Sequence, residues 1–161
     1  MKIKELLNRF HFENLKLKIG FLEMEINFIE EDKNAAWDLY VELLTRITTQ
    51  PLNDNDGIEI TALESIYSIF STTRKILKKH GRKCIQFSKI AIIVLNQVIR
   101  PFTAKWHLLS KQGTLNDNNG KLQFRNELKQ LQSKLSNYSK LLAEIANVED
   151  LTIIDENQKN N

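Results

Sequence analysis

The sequence of 161 residues is poor in cysteine, proline and glycine, with one, two and five of them. The single cysteine, Cys84, excludes an internal disulfide and a zinc site built from several cysteines. Its expected place is the core, since a free cysteine usually behaves as a small hydrophobic residue. No apolar run approaches the roughly 20 residues that a membrane-spanning helix needs, and the longest, residues 90–95, has the length of a buried helix segment. We therefore expect no membrane partner.

A signal peptide is also missing, because lysines follow Met1 at once and no apolar stretch comes after them. We therefore expect a cytoplasmic location. With 42% hydrophobic and 27% charged residues, the composition is that of an ordinary globular protein, and the length suffices for one core. We predict a single domain over residues 1–154, followed by a disordered polar tail at residues 155–161.

Acidic residues are missing from one long segment, since residues 65–116 contain no Asp or Glu. The same segment holds ten basic residues, Arg74, Lys75, Lys78, Lys79, Arg82, Lys83, Lys89, Arg100, Lys105 and Lys111. Because the net charge of the whole chain is only +3, the acidic groups are concentrated elsewhere. Such segregation indicates an anionic partner, or a basic layer that faces the protein's own acidic layer.

No catalytic signature accompanies the basic segment. The sequence has no glycine-rich phosphate loop, no pair of histidines at metal-binding spacing and no nucleophilic serine elbow. The three histidines, His11, His80 and His107, are scattered along the chain. We therefore expect neither a metal nor another cofactor, and the sequence favours a binding protein over an enzyme.

Apolar and charged residues alternate over residues 15–28, and the alternation shifts by one position at Gly20. A two-residue turn there would put apolar side chains opposite one another on one face. The other face would then pair opposite charges, Lys16 with Glu25 and Lys18 with Glu23. Glycine at the first turn position suits the turn that joins two twisted strands. This pattern predicts a β-hairpin, packed against helices because an isolated hairpin is only marginally stable.

The rest of the chain has helical periodicity. A first helix follows the acidic residues 30–32, which suit a helix N-terminus, and ends before Pro51. A second helix is expected to begin at the capping box formed by Thr61 and Glu64 and to end at Gly81. Its inward stripe is predicted to consist of Leu63, Ile66, Tyr67, Phe70 and Leu77.

Two further helices complete the prediction. The third covers about residues 83–99 and is nearly apolar around its middle, and Pro101 should kink it or divide it from a following piece. The last has a heptad seam of Phe124, Leu128, Leu131, Leu135, Tyr138, Leu142 and Ile145. The predicted fold is therefore mainly α, and α+β in detail: a four-helix bundle with an N-terminal β-hairpin packed on it.

The basic residues of the second helix share one side. On a helical wheel they lie away from the apolar stripe, as Arg74, Lys75, Lys78, Lys79 and Arg82. One interpretation is a surface that binds nucleic acid or an acidic protein. The other is a solvated charged face that keeps the protein soluble. Contact with about four phosphates would make log affinity fall against log salt with a slope of about −3 to −4.

A second group of candidate anion ligands follows at helical spacing, namely Arg100, Thr103, His107 and Lys111. If the helix continues through Pro101, these side chains line one side and offer a guanidinium, a hydroxyl, an imidazole and an ammonium to a phosphate. Trp106 is either a core residue or a stacking partner for a base. In the alternative interpretation, Arg100 forms an ion pair with Asp38 or Glu42 of the acidic first helix.

The spacings of Arg74 to His80 and of Arg100 to His107 resemble the motif of the HEPN ribonucleases, a family of small helical domains in which four to six residues separate Arg from His. In that family two such motifs meet across a dimer and cleave RNA without a metal. The resemblance implies a catalytic role for these four residues. The usual polar neighbour of the arginine is replaced here by Lys75 or Pro101. A metal-independent ribonuclease is therefore the alternative hypothesis.

Residues 35–52 and 94–107 resemble blocks from small uncharacterised bacterial helical proteins encoded beside phage-defence genes. The resemblance implies a role in bacterial antiviral defence and no particular activity. A third hypothesis is a structural subunit, a homodimer or a member of a hetero-complex, that uses the last helix or the hairpin edge for protein–protein interaction.

Overall fold

A computed structural model describes the backbone of residues 1–156 and the side chains of residues 1–154. Its α-helices are α1 (Ile3–Arg9), α2 (Ile19–Leu22), α3 (Glu30–Leu44), α4 (Glu59–His80), α5 (Ile85–Val94), α6 (Arg100–Lys111), α7 (Asn118–Ala146) and α8 (Thr152–Glu156). Two 3₁₀ turns, Gly81–Cys84 and Thr114–Asn116, and one π-helical segment, Leu95–Ile99, lie between them. The described residues form no β-strand. The mainly helical part of the predicted fold is confirmed, and its β component is wrong.

The predicted β-hairpin at residues 15–28 is not formed. Gly20 lies inside the short helix α2 instead of at a turn between strands. The extended segment after α2 pairs with the N-terminus of the chain, where the backbone N–H of Ile26 donates to the carbonyl of Met1 at 2.9 Å. The segment therefore has a partner about two dozen residues away, which local alternation does not identify.

The acidic residues of this segment also have other partners than predicted. Glu23 lies 2.6 Å from Nζ of Lys2, and Glu25 lies 3.4 Å from the amino group of Met1. Lys2 and Glu25 form an isolated antiparallel bridge. The predicted pairs of Lys16 with Glu25 and Lys18 with Glu23 are therefore wrong, because the backbone that faces this segment is that of residues 1–3.

The core is built mainly by α3, α4, α5 and α7, with buried residues of α1 and α6 at its edges, and α3 makes its largest contact with α7. The heptad seam of α7 is confirmed, since all seven of its residues are buried. The central place predicted for the third helix is wrong, because α3 is the helix that contacts α4, α5 and α7. One side of α5 is buried through Phe87, Ile90 and Val94, but Ile85 and Ile92 are 53% and 48% exposed. Cys84 is a buried free thiol.

Of the two predicted ends of α4, only the C-terminal one is correct. Gly81 ends the helix with a φ of 67°, in the left-handed region that favours glycine. The helix begins at Glu59, however, so the predicted capping box at Thr61 is wrong. Nε of Arg125, on α7, lies 2.8 Å from the Glu59 carboxylate. This contact between distant parts of the chain stabilises an additional turn.

Helical structure continues from α5 into α6 through the π-helical segment. Pro101 lies inside this continuous helical backbone, two residues after the π-helical segment, and its missing N–H cannot donate to a carbonyl of the preceding turn. The predicted break at the proline therefore takes the form of the π-helical segment before it, and the helix is not divided into separate pieces. Of the predicted tail, Asp155 and Glu156 complete α8, and residues 157–161 lie outside the described residues. Within the described part, no helix combines the length and the hydropathy that crossing a membrane requires.

Candidate nucleic-acid interface

The exposed cations of α4 are the first part of the candidate site. Arg74, Lys75 and Lys78 lie on the C-terminal half of the helix, and Arg82 lies on the 3₁₀ turn that follows. All four are exposed, and none forms an ion pair with a described residue. The other side of α4 is buried in the core. The predicted outward direction of this basic face is confirmed.

Other cations of the acid-free segment are held by carboxylates. Nζ of Lys79 lies 2.7 Å from Asp38 on α3, and Nε2 of His80 lies 2.8 Å from the same oxygen. Burial raises the pKa of Asp38, but the hydrogen bonds of Lys79 and His80 outweigh this effect and leave the pKa below its ordinary value. Lys83 pairs with Glu31 at 3.5 Å. The acidic side of α3 therefore neutralises part of the basic segment, and Lys79 is no longer a candidate anion ligand.

Arg100 and His107 lie against α4. The Arg100 guanidinium carbon lies 4.7 Å from the ring centre of Phe70, and two of its nitrogens donate to Oδ1 of Asn96 at 3.1 Å. The ring of His107 meets that of Tyr67 edge to face, with centres 4.9 Å apart. Since Asp38 binds Lys79 and His80, and Glu42 pairs with Arg46, the ion pair suggested for Arg100 is wrong.

Two residues of the second predicted group belong to the interior. Thr103 is 2% exposed, and its hydroxyl hydrogen-bonds to the carbonyls of Ile99 and Arg100. It is therefore not an anion ligand. Trp106 is fully buried, and its indole Nε1 donates to Glu127 at 2.9 Å, which identifies it as a core residue. Lys111 is exposed at the end of α6.

Tyr67 is the residue that the sequence prediction places wrongly. Periodicity assigns it to the inward stripe of the second helix, but 51% of it is exposed. Its position, one helical turn before Ser71 and two before Arg74, puts it on the same stripe as exposed residues. The spacing of seven residues between Tyr67 and Arg74 is therefore the feature of the sequence that could have predicted the exposure of Tyr67.

We use the name basic surface for the exposed side of α4 and the adjoining side of α6. It consists of Tyr67, Arg74, Lys75, Lys78, Arg82, Arg100 and His107. Its guanidinium and ammonium groups are donors for phosphate oxygens. The rings of Tyr67 and His107 offer faces or edges on which a base can stack. Charge and aromatic surface therefore occur side by side.

The two pairs that resemble the HEPN motif are arranged differently. Arg74 and His80 are six residues apart on α4, so their directions differ by about 120°, and His80 is bound to Asp38. Arg100 and His107 are seven residues apart on α6, so they share one face at a separation of about 10 Å along the axis. The second pair alone offers an arginine and an unpaired imidazole on one side of a helix.

In the described part of the chain, no group of three or more His, Cys, Asp or Glu side chains is placed to hold a metal ion. The sequence matches no protein-family model, and it matches neither a curated protein nor a solved structure. The likeness to defence-associated bacterial proteins and to HEPN ribonucleases therefore remains a prediction from the sequence.

Proposed function

We propose that the protein is a non-enzymatic binding module that engages nucleic acid through the basic surface. The observation that supports this most is a contrast within one segment. Lys79 and Lys83 are paired with carboxylates of α3, whereas Arg74, Lys78 and Arg82 extend into solvent without a described acidic partner. Phosphates of a polyanion would supply the missing counter-charges.

The aromatic rings favour nucleic acid over an acidic protein as the partner. Tyr67 is half exposed beside His107, and it lies on the same face of α4 as Arg74. Stacking of a base on such a ring stabilises a single-stranded complex by about 1–3 kcal/mol, whereas the carboxylate side chains that make a peptide acidic cannot stack on a ring. The proposed ligand is therefore a short single-stranded segment, bound in the cytoplasm and, by the sequence resemblance, in a bacterial defence response.

Fluorescence anisotropy with labelled single-stranded RNA, single-stranded DNA and duplex DNA at 50 mM salt tests the proposal. We expect the double variant Arg74→Glu with Lys78→Glu to lose affinity for the single strands by about tenfold or more. Tyr67→Ala should weaken the same complexes by about fivefold or more. The double variant Lys4→Glu with Lys18→Glu is the matched control, because it changes the net charge equally at exposed sites outside the basic surface.

Four results would count against the proposal. Absence of binding to every nucleic acid at 50 mM salt removes it, and so does an equal loss in the control variant. Binding of polyglutamate as tight as that of RNA, with no effect of Tyr67→Ala, would favour an acidic protein partner. A stable homodimer or hetero-complex that covers the basic surface would favour the structural subunit instead.

The ribonuclease is the second candidate, because Arg100 and His107 lie on one face of α6 beside an exposed aromatic ring. Labelled RNA incubated in EDTA with wild type, His107→Ala and His80→Ala tests it. Loss of cleavage in His107→Ala alone would support the Arg100–His107 pair. Equal residual cleavage in all three proteins would exclude this candidate.

A further inference from the structure

A second anion site is indicated by a cleft outside the basic surface. It lies between the loop after α1 and the junction of the π-helical segment with α6, and its volume is about 440 Å³, within the range of small-molecule sites. Its described lining includes His11, Lys16 and Lys134 but no Asp or Glu. Neither lysine forms an ion pair with a described residue. The cleft is therefore lined by two lysines that have no ion-pair partner among the described residues.

The uncharged polar groups of the cleft are also suited to donating. Asn14 and Asn96 line it. Oδ1 of Asn96 accepts two hydrogen bonds from Arg100, each 3.1 Å long. This leaves the NH₂ group of Asn96 as the part of the amide that is available to a ligand. Amide and ammonium donors without a competing carboxylate select an anion with several oxygens.

Apolar side chains form the rest of the wall. Phe12, Leu15, Val98 and Pro101 line the cleft together with the polar groups. Phe12 is itself buried and packs edge to face on Tyr138, with ring centres 6.5 Å apart. A rigid apolar wall next to a cluster of donors fits a ligand that joins an anionic group to a planar or apolar body.

The loop is fixed in place by a side chain of the π-helical segment. The Lys16 backbone N–H donates to Oε1 of Gln97 at 2.8 Å, and Nε2 of Gln97 donates to the Lys16 carbonyl at 3.0 Å. These two hydrogen bonds hold the loop against the helix, so the cleft exists before a ligand arrives. Preformed geometry lowers the entropic cost of binding.

His11 occupies a backbone position that favours another residue. Its φ is 62°, and the hydrogen bonds from His11 to Asn8 and from Phe12 to Leu7 are those of a helix end at which glycine is preferred. A glycine at this position would serve the fold equally well, but the residue is a histidine, and it lines the cleft. A residue held at some conformational cost beside a cleft points to a use for its side chain.

We propose that this cleft binds a phosphomonoester carried on a planar or apolar body, as in a nucleoside monophosphate or the 5′-phosphorylated end of a strand. A phosphomonoester carries about two negative charges near neutral pH and can neutralise both Lys16 and Lys134, whereas a monocarboxylate can neutralise only one. The site does not involve the exposed face of α4, so it stands or falls independently of the function proposed above.

Isothermal titration calorimetry with adenosine monophosphate tests the proposal, with adenosine and benzoate as comparison ligands. We expect adenosine monophosphate to bind at least about tenfold more tightly than either, as expected for the charge-assisted bonds that only the phosphate forms. Lys134→Met should weaken its binding about tenfold. Lys129→Met, on the same helix but outside the cleft, should leave the affinity unchanged.

The variant His11→Gly separates ligand binding from folding. Glycine suits the left-handed position, so we expect an unchanged or higher melting temperature together with weaker binding of adenosine monophosphate. An unchanged affinity would contradict a role for the imidazole in the site. Equal binding of adenosine or benzoate, no binding at millimolar concentration, or equal weakening by Lys129→Met would overturn the proposal.

The source of the phosphate is distinguished by two short oligonucleotides, one with a 5′-phosphate and one with a 5′-hydroxyl. If the protein prefers the phosphorylated strand and Lys134→Met abolishes this preference, the ligand of the cleft is a strand end. If both strands bind equally, the ligand is a free nucleotide. The double variant Arg74→Glu with Lys78→Glu should retain the affinity for adenosine monophosphate. Failure of the basic surface and failure of the cleft are therefore separate results.

Discussion

Single carboxylates decide which cations of the acid-free segment remain available to a ligand. Asp38 binds Lys79 and His80, and Glu127 binds Lys105 at 2.7 Å. For Glu127, as for Asp38, burial raises the pKa, but hydrogen bonds to neighbouring donors outweigh burial and leave the pKa below its ordinary value. Both carboxyls are therefore charged at neutral pH. The cations bound to these two carboxylates, Lys79, His80 and Lys105, are therefore neutralised within the fold and contribute little to the binding of an external anion.

The pair of Glu59 and Arg125 gives a prediction about stability. The two side chains are 10% and 13% exposed and lie 2.8 Å apart. Burial raises the pKa of Glu59, but the hydrogen bond of Arg125 leaves it below its ordinary value of 4.5. A carboxyl with a lowered folded pKa stabilises the fold above its unfolded pKa, and this stabilisation is lost as the pH falls through the folded pKa. We expect Glu59→Gln to lower the free energy of unfolding by about 2 kcal/mol at pH 7.

Urea denaturation of wild type and Glu59→Gln between pH 7 and pH 3 measures this contribution. The difference between the two proteins should be constant above about pH 5 and should shrink below about pH 4.5. Glu144→Gln is the control, because Glu144 pairs with Arg9 at the exposed surface, where such pairs contribute less than about 1 kcal/mol. A difference that does not change with pH would show that the Glu59 charge does not stabilise the fold.

The start of α7 depends on one glycine. Asp117 accepts a hydrogen bond from the Gly120 backbone N–H at 2.7 Å, and a Cβ at Gly120 would collide with the carbonyl oxygen of Thr114. We therefore expect Gly120→Ala to destabilise the protein by about 2 kcal/mol, since the backbone must move, although alanine is the better helix former. Gly20→Ala in α2 has open space around the added carbon and should change stability by less than about 1 kcal/mol. Equal melting temperatures for the two variants would contradict the expectation.

Local sequence is sufficient for the elements whose stability is local. Spacing alone predicts the seam of α7 because each buried residue lies one turn from the next. Gly81 is correctly predicted to end α4 because its φ requirement is a property of the residue itself. The segment around Glu25 and the first turn of α4 are predicted wrongly, because their partners are Lys2 and Arg125. Nothing in the local pattern distinguishes these distant partners from nearer ones.

The candidate site is predictable to a similar extent. Helical periodicity places Arg74 and Lys78 on the outside of α4, and they are exposed. It also places Thr103 on the same stripe of α6 as Arg100 and His107, and the three residues do share one side of that helix. That stripe adjoins α4, where the long Arg100 side chain reaches across Phe70 while the short Thr103 remains buried. Exposure at a helix–helix boundary depends on side-chain length and on the neighbouring helix. The periodicity of one helix does not show which helix packs beside it.

The net charge of the whole molecule hides its distribution. The chain carries only +3, yet α3 begins with three acidic residues and the C-terminal half of α4 carries none. Because α3 packs beside α4, part of the positive charge is neutralised within the fold. Arg74, Lys75 and Lys78 remain unpaired on the side of α4 that faces away from the core. These neighbouring cations give this side of α4 a positive field, although the protein as a whole is nearly neutral.

Adjacent lysines of α4 allow a test of whether local exposure or net charge governs the binding of single-stranded RNA. If about five cations of the basic surface contact phosphates, log affinity should fall against log salt with a slope of about −3.5. Lys78→Met removes an unpaired cation and should bring the slope closer to zero by about 0.7. Lys79→Met removes the same charge, but its ammonium is bound to Asp38, so the slope should not change. Anisotropy titrations between 50 and 200 mM salt measure both slopes, and an equal change in the two variants would show that net charge alone governs binding.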